Sequence, residues 1–199
     1  MSAEFVLSAA AAYCCGAIPW SVWLARRFYG VDPRRYADGN PGAMNAFRAA
    51  GWRLGVLVIA LDYLKGFLPV LVANYGLALP GHQRLWVAIA PTLGHAFSIF
   101  LRLRGGRALA VMFGVWSGLT LYEVPMFMGL IALISTRLVK QDELRSASLP
   151  VAVIIFLLVR GEPLWMVGVA TAQLLVVSAK IGYYRFTQQI AGEREQLGV

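Results

Sequence analysis

The sequence contains little charge for its length. Charged residues make up 14% of the 199 positions, whereas hydrophobic residues make up 59% and the mean hydropathy is +0.64. A soluble domain carries about a quarter charged residues, and here the apolar runs leave only short loops between them. The composition therefore excludes an ordinary soluble domain and predicts a single integral membrane domain over residues 1–199.

Residues of metal and redox chemistry are also scarce. The two histidines are His82 and His95, and the two cysteines, Cys14 and Cys15, are neighbours inside the first apolar run. Adjacent residues on a helix point about 100° apart, so we expect no disulfide between them. No cluster has the spacing of metal ligands. We therefore expect no metal and no other cofactor.

Basic residues nevertheless outnumber acidic ones, 18 against 10, which gives a net charge of +8. In a membrane protein this balance is typical of basic cytoplasmic loops, sometimes with an anionic substrate. Nucleic-acid binding would need a soluble basic face, for which the loops leave no room. The expected partners are the lipid bilayer and an anionic substrate but no nucleic acid, and we expect a monomer.

Apolar runs predict an all-α, polytopic transmembrane helix bundle of about seven spans. A helix needs about 20 apolar residues to cross the hydrocarbon core, so only the first two runs are long enough alone, and the others are short or broken. Five or six spans with broken helices is the alternative. Glu4 precedes the first run and Arg26 follows it, the reverse of a cleavable signal. The runs lie at roughly 4–25, 54–75, 85–101, 108–122, 125–139, 148–159 and 163–181.

The basic residues predict the orientation of the bundle. If the N-terminus is outside and the spans alternate, fifteen of the eighteen fall in inside loops, as the positive-inside rule requires. Arg84 and Arg160 fall outside, and Lys65 lies within the second span. A shift by one span destroys this bias, so we predict an N-out, C-in topology. The fifteen are Arg26, Arg27, Arg34, Arg35, Arg48, Arg53, Arg102, Arg104, Arg107, Arg137, Lys140, Arg145, Lys180, Arg185 and Arg194.

The long loop at about 26–53 is the first candidate site. It contains Ala37-Asp38-Gly39-Asn40-Pro41-Gly42-Ala43-Met44-Asn45, followed by Arg48. Glycines allow backbone N–H groups to face a ligand without interference from a Cβ, and asparagine and arginine supply neutral and charged donors for an anion. An ordinary cytoplasmic turn is the alternative interpretation.

Two charged residues lie inside the second apolar run. Asp62 and Lys65 are three residues apart, so they share a helix face and can pair. Ionisable groups at membrane depth are costly and often mark a function. A structural ion pair near the cytoplasmic end is the favoured interpretation, and direct substrate contact is the alternative.

The third candidate is Gly94-His95-Ala96-Phe97-Ser98, followed by Arg102-Leu103-Arg104-Gly105-Gly106-Arg107-Ala108. Three arginines around a Gly-Gly turn, followed by a helix N-terminus, are suited to binding an anion. An ordinary basic loop is the alternative, and a lone histidine in a span is more often a packing residue than a base.

Taken together and in this order, the three segments resemble the bacterial acyl-phosphate-dependent glycerol-3-phosphate acyltransferases. That family carries a Gly-Ser-Gly-Asn-x-Gly-Ala-Thr-Asn loop ending in arginine, then Leu-Asp-x-x-Lys-Gly, then Gly-His-x-Phe-Pro leading to Lys-Gly-Gly-Lys-Gly. The match here extends from about residue 10 to 115 and includes Gly16-Ala17-Ile18-Pro19-Trp20.

The resemblance implies transfer of a fatty acyl group from acyl phosphate to glycerol 3-phosphate, which yields lysophosphatidic acid and phosphate for phospholipid biosynthesis. It implies an enzyme of the bacterial inner membrane with cytoplasmic active-site loops and no coenzyme A. The predicted catalytic residues are Arg48, Arg107 and Asp38. The predicted substrate-binding residues are Gly39, Asn40, Gly42, Asn45, Lys65, His95, Arg104, Gly105 and Gly106.

Several positions depart from the family pattern. Asp38 replaces a serine, Met44 a threonine, Ser98 a proline, and Arg104 and Arg107 two lysines. The C-terminal His-Arg-x-Asn motif of the family is absent; the tail offers Tyr183, Tyr184, Arg185, Gln188 and Gln189 instead. The alternatives are therefore a relative with another acyl acceptor, or a non-catalytic relative that binds phospholipid or acyl phosphate.

Overall fold

The regular structure consists mainly of α-helices, with a few short 3-10 and π-helical segments. Residues 2–77 and 79–197 are described by this computed structural model, and within them every regular element is helical, as the all-α prediction requires. The α-helices are α1 (Ala3–Ala17), α2 (Trp20–Tyr29), α3 (Ala43–Ala50), α4 (Trp52–Leu71), α5 (Gly81–Ala96), α6 (Leu109–Thr120), α7 (Glu123–Leu138), α8 (Asp142–Arg160) and α9 (Leu164–Leu197).

Each apolar run of the sequence coincides with a helical segment. Four segments are long and apolar enough to cross a membrane, and α6, with 12 residues, is a shorter apolar helix. Its length of about 18 Å is less than the hydrocarbon thickness. The membrane-helix fold is thus confirmed, whereas the number of spans and their direction remain predictions. The four are Ala3–Tyr29, Trp52–Gly76, Gly81–Leu101 and Leu164–Ile190.

The first long segment is broken where α1 meets α2. Pro19 has no N–H group and cannot continue the α1 ladder, so the helix stops at Ala17. The carbonyl groups left at the break accept hydrogen bonds from two side chains, one on α4 and one just after α5. Ser98 Oγ donates to the Ala17 carbonyl, and Lys65 Nζ donates to the Ile18 carbonyl over 2.8 Å.

Glycines allow the main helix pairs to approach closely. A Cβ on Gly66 of α4 would overlap the Val111 carbonyl of α6, and one on Gly114 of α6 would overlap the Tyr63 carbonyl of α4. Gly94 makes the same kind of approach between α5 and α1. Small residues at such contacts are typical of helix packing in membranes, where close van der Waals contact replaces the hydrophobic effect.

Polar side chains are clustered at two opposite ends of the bundle. At one end, Asn74 at the end of the second long segment donates to the Leu119 carbonyl and accepts from Arg84 over 2.7 Å. At the other end, the loop between α2 and α3 meets the loop between α5 and α6. The first and third candidate segments meet at this second end, whereas Asp62 and Lys65 lie in the second half of α4.

Candidate active site

The first loop is the segment between α2 and α3, residues 30–42. It folds around the buried side chain of Asn45, which lies on α3. Its amide nitrogen lies within hydrogen-bonding distance of three acceptors: the Tyr36 carbonyl at 2.8 Å, the Asp38 carboxylate at 2.9 Å and the Asn40 carbonyl at 3.0 Å. Asn45 is held on the first turns of α3, so it fixes the loop relative to that helix. We predicted Asn45 as a substrate ligand, but its amide donors are engaged within the protein.

The glycines of this loop shape the turn and do not present free backbone donors. Gly39 has a φ of 75°, in the left-handed region that favours glycine. Its N–H donates to the Tyr36 carbonyl over 3.0 Å, and that of Gly42 donates to the Asn40 carbonyl over 2.8 Å. The Asn40 N–H donates to Asp38. The structure therefore differs from the prediction that these N–H groups face a ligand, because the turn itself uses them.

The second loop, residues 102–108, lies between α5 and α6. Its Gly-Gly turn also uses its N–H groups for hydrogen bonds within the protein. The N–H groups of Gly105 and Gly106 donate to the carbonyls of Ala96 and His95, both over 3.1 Å. A Cβ on Gly106 would lie 2.6 Å from His95 Nε2 and 2.8 Å from Asn40 Oδ1. Glycine is needed here for close packing, which brings the second loop against His95 and against the first loop.

A chain of charged and polar side chains joins the two loops. Arg107 Nη2 lies 2.6 Å from Asp38 Oδ2, Asp38 Oδ1 accepts from Asn45, and Asn45 Oδ1 accepts from Arg48 Nη1 over 2.8 Å. These contacts join Arg48 and Arg107 through one network of side chains, although neither arginine lines the cavity described next. Their catalytic role remains a prediction. The carboxylate at position 38, which would repel a phosphate if it were alone, is paired.

A cavity of about 280 Å³ opens beside this chain. It brings together the first loop, the second loop and α9, and two arginines face one tyrosine pair within it. A larger open groove of about 470 Å³ lies on the far side of Asp32, but it contains none of the predicted site residues. The residues of the smaller cavity are Asp32, Arg34, Asp38, Gly39, Arg104, Tyr183, Tyr184 and Thr187.

Arg34 and Asp32 are cavity residues that the sequence did not single out. The Arg34 guanidinium and backbone N–H both bind the Asp32 carboxylate, with a shortest distance of 2.8 Å. The hydrogen bond from Arg34 holds the pKa of Asp32 well below its usual range. An Asp two residues before an Arg in a Pro-containing turn is a signal that could have identified this pair.

A buried ionic cluster lies beneath the second loop. Lys65 Nζ lies 2.8 Å from Asp62 Oδ1, so the predicted ion pair is confirmed. His95 Nδ1 lies 3.9 Å from the same carboxylate oxygen, while the other side of its ring faces Gly106. His95 thus contacts the second loop, and Lys65 binds both Asp62 and the helix break. In the described part of the chain, no group of three His, Cys, Asp or Glu residues could hold a metal ion.

Two of the family departures lie where they do not disturb the site. The Met44 side chain is 61% exposed, so the lost threonine hydroxyl is replaced by a group outside the hydrogen-bonded loop. Ser98, in place of proline, is buried and bound to the helix break. Arg104 is exposed and lines the cavity, where it keeps the charge of the lysine that it replaces.

The long helix α9 contacts the second loop through two side chains. Lys180 Nζ donates to the Leu103 carbonyl over 3.2 Å, and the Tyr184 hydroxyl donates to the Gly105 carbonyl over 2.8 Å. From the sequence, Tyr184 was one of the polar tail residues noted in place of the missing motif, whereas Lys180 was considered only as a positive charge. The spacing of four residues, which places both on one helix face, was the available signal.

The chain matches a known protein family and several of its members. The family model described as glycerol-3-phosphate acyltransferase matches residues 6–192. A glycerol-3-phosphate acyltransferase of Thermus thermophilus is 38% identical over 170 residues, which is 83% of this chain and 82% of the relative. Glycerol-3-phosphate acyltransferase 1 of Thermotoga maritima is 42% identical over 116 residues, and the chain spans 57% of the length of that relative.

Two solved structures resemble the whole chain. The crystal structure of PlsY (YgiH), an integral membrane glycerol 3-phosphate acyltransferase in its glycerol 3-phosphate form, has a TM-score of 0.82 and 28% identity and covers 95% of this chain and 93% of its own. The lysophosphatidic acid form has a TM-score of 0.76 over 98% of this chain. The similarity includes α9, where the sequence motif is missing. The chain therefore belongs to the glycerol-3-phosphate acyltransferase family.

Proposed function

We propose that the protein transfers a fatty acyl group from acyl phosphate to the 1-hydroxyl of glycerol 3-phosphate. The observation that carries this proposal is the Arg107–Asp38 contact, because it joins the two motif-bearing loops at the edge of a cavity that Arg34 and Arg104 line. Family membership supports the same reaction. The proposed unit is a single membrane domain over residues 1–199, which acts as a monomer.

The reaction needs no nucleophile from the protein. The glycerol hydroxyl oxygen attacks the acyl carbonyl carbon, and the bond between that carbon and the phosphate oxygen breaks. The hydroxyl proton leaves with the phosphate, so the products are lysophosphatidic acid and inorganic phosphate. Because acyl phosphate is already activated, positioning of the two substrates and stabilisation of negative charge are the contributions left to the protein.

The arginines supply that stabilisation in this proposal. Arg104 and Arg34 line the cavity and would bind the phosphate of a substrate there. Arg107 and Arg48 stand at the two ends of the network of hydrogen-bonded side chains. Asp38 orients Arg107, and Asn45 orients Arg48. Arginine suits this task because its planar guanidinium can form two parallel hydrogen bonds to a phosphate.

The remaining predicted ligands act through the scaffold. Gly39, Gly42, Gly105 and Gly106 use their N–H groups within the two loops; Asn40, Asn45, Lys65 and His95 pack around or between those loops. We propose that they set the positions of the arginines. The acyl chain would lie among the apolar helices, and the reacting head group at the cytoplasmic face of the bacterial inner membrane.

A phosphate-release assay tests the proposal. Purified protein is given palmitoyl phosphate with glycerol 3-phosphate, with another polyol phosphate, or with neither. We expect phosphate and lysophosphatidic acid to appear only with glycerol 3-phosphate and without coenzyme A. Complementation of cells that lack their housekeeping enzyme is the corresponding test in vivo.

The second candidate is a family member that has lost or altered the reaction. The observation in its favour is that Arg107 is neutralised by Asp38, a carboxylate that the family does not have at this position. Turnover only with a different polyol phosphate would identify an altered acceptor. Retained lipid binding without any turnover by folded protein would contradict the proposed acyl transfer.

A further inference from the structure

The second loop, residues 102–108, adopts a backbone that its residues do not favour. Arg102, Leu103 and Ala108 have φ angles of 52°, 64° and 63°. This left-handed region is unfavourable for residues with a Cβ, and it persists only where surrounding contacts determine the conformation. Arg104 and Arg107 lie within this loop, so contacts that hold the backbone also decide where the two guanidinium groups stand.

Contacts on one side of the loop come from the end of α5. The N–H groups of Gly105 and Gly106 donate to the carbonyls of Ala96 and His95. These bonds fix the Gly-Gly turn. They leave the carbonyl groups of the loop to be satisfied by other donors.

Those donors come from α9, on the opposite side. Lys180 binds the Leu103 carbonyl and Tyr184 binds the Gly105 carbonyl, so the two captured carbonyls flank Arg104. Lys180 is 3% exposed and Tyr184 8% exposed. Lys180 Nζ also lies 4.5 Å from the centre of the Phe97 ring, which holds its ammonium group in place.

We propose that Lys180 and Tyr184 are positioning residues that hold the second loop in its active conformation. They lie on α9, and they act by fixing the backbone that carries Arg104 and Arg107. The expected effect on catalysis rests on the proposed function. The expected effect on the stability of the loop rests on the loop geometry alone.

The structural consequence is measured without any activity. Amide hydrogen exchange is followed over residues 102–107 in Tyr184→Phe, Lys180→Met and the double variant. Loss of one buried hydrogen bond should speed exchange about fivefold to tenfold, and the double variant should exceed either single one. Tyr122→Phe and Lys140→Met are matched controls, because both side chains are exposed. Unchanged exchange in both single variants would overturn the proposal.

The catalytic consequence is measured by combining variants. Tyr184→Phe should lower kcat about tenfold and change KM less, and Lys180→Arg should restore most of the rate lost in Lys180→Met. In a background with both Arg104→Ala and Arg107→Ala, Tyr184→Phe should have almost no further effect, because it acts through the loop that carries these two arginines. An equal fall of kcat in both backgrounds would identify a direct substrate contact and overturn the positioning role.

Failure of the proposed function gives a different pattern. If wild-type protein lacks acyl transfer, the kinetic tests have no signal, while the exchange test still decides whether α9 holds the loop. The Tyr184→Phe change removes a single oxygen, and its thermal midpoint is compared with that of Tyr122→Phe. If Tyr184→Phe does not fold, exchange in Lys180→Arg and Lys180→Met decides the matter, and equal exchange in these two would contradict the proposal.

Discussion

Arg107 and Asp38 lie 69 residues apart in the chain, yet their side chains meet at 2.6 Å. The contact joins a loop that precedes α3 to a loop that precedes α6. It neutralises an arginine that the proposed reaction needs for a phosphate, and it fixes the position of that guanidinium group. A substrate phosphate would therefore compete with Asp38 for Arg107.

Arg107→Ala should lower kcat by roughly two orders of magnitude, as the loss of one charge-stabilising donor typically does. Phosphate release from palmitoyl phosphate with saturating glycerol 3-phosphate measures the effect. Arg107→Lys keeps the charge and should retain more of the rate. Arg137→Ala, which removes an exposed arginine at the end of α7, is the matched control. A similar loss in both alanine variants would point to a general effect of charge.

Asp38→Asn should lower the KM for the phosphate substrates and leave kcat unchanged or higher. The amide keeps the shape of the side chain but removes a negative charge that competes for Arg107, an effect of up to about fivefold for a partly exposed pair. Asp38→Ser, which restores the family residue, should act in the same direction. Initial rates over a range of glycerol 3-phosphate concentrations provide the measurement. A large fall in kcat would instead show that the reaction needs the Asp38 carboxylate, either as a catalytic group or to orient Arg107.

The sequence predicted those features that depend on local pattern. Apolar runs located the helices, because burial in lipid or protein requires continuous apolar length. The three-residue spacing of Asp62 and Lys65 predicted their ion pair, because helix geometry alone brings such residues together. Two glycine-containing loops with arginines predicted a shared anion site, and the structure does bring Arg48 and Arg107 into one side-chain network.

Features set by tertiary packing were not predictable in the same way. The backbone donors of Gly105 and Gly106 were expected to face a ligand, but carbonyl groups at the end of α5 accept them. The contact from Tyr184 to Gly105 spans 79 residues. No local pattern specifies which face of α9 turns toward the loop, because that depends on how α9 packs against α5 and α8. For the same reason, the exposed position of Met44 could not be inferred from its motif.

Lys65→Met should destabilise the protein more than the double change Lys65→Met with Asp62→Leu. The single change leaves the Asp62 carboxylate buried without its ion-pair partner, which typically costs about 3–5 kcal/mol. The double change removes both charges and keeps apolar volume. Expression yield and the thermal midpoint of purified protein are the readouts. Equal yield and equal midpoints for the two variants would contradict this assignment of the pair as structural.

Gly114→Ala should lower the thermal midpoint, whereas Gly129→Ala should not. A Cβ at Gly114 would overlap the Tyr63 carbonyl, a backbone atom that cannot move aside without separating α4 from α6. Such overpacking costs about 1–3 kcal/mol, which corresponds to a fall of several degrees for a protein of about this size. Gly129 lies on an exposed face of α7 with no neighbouring atom within 4 Å of the added Cβ. Alanine there should be neutral or slightly stabilising, because it favours the helix over glycine. If both variants melted at the wild-type temperature, α4 and α6 would not pack as closely as the structure has them, and the loop that ends just before α6 would lose its fixed support.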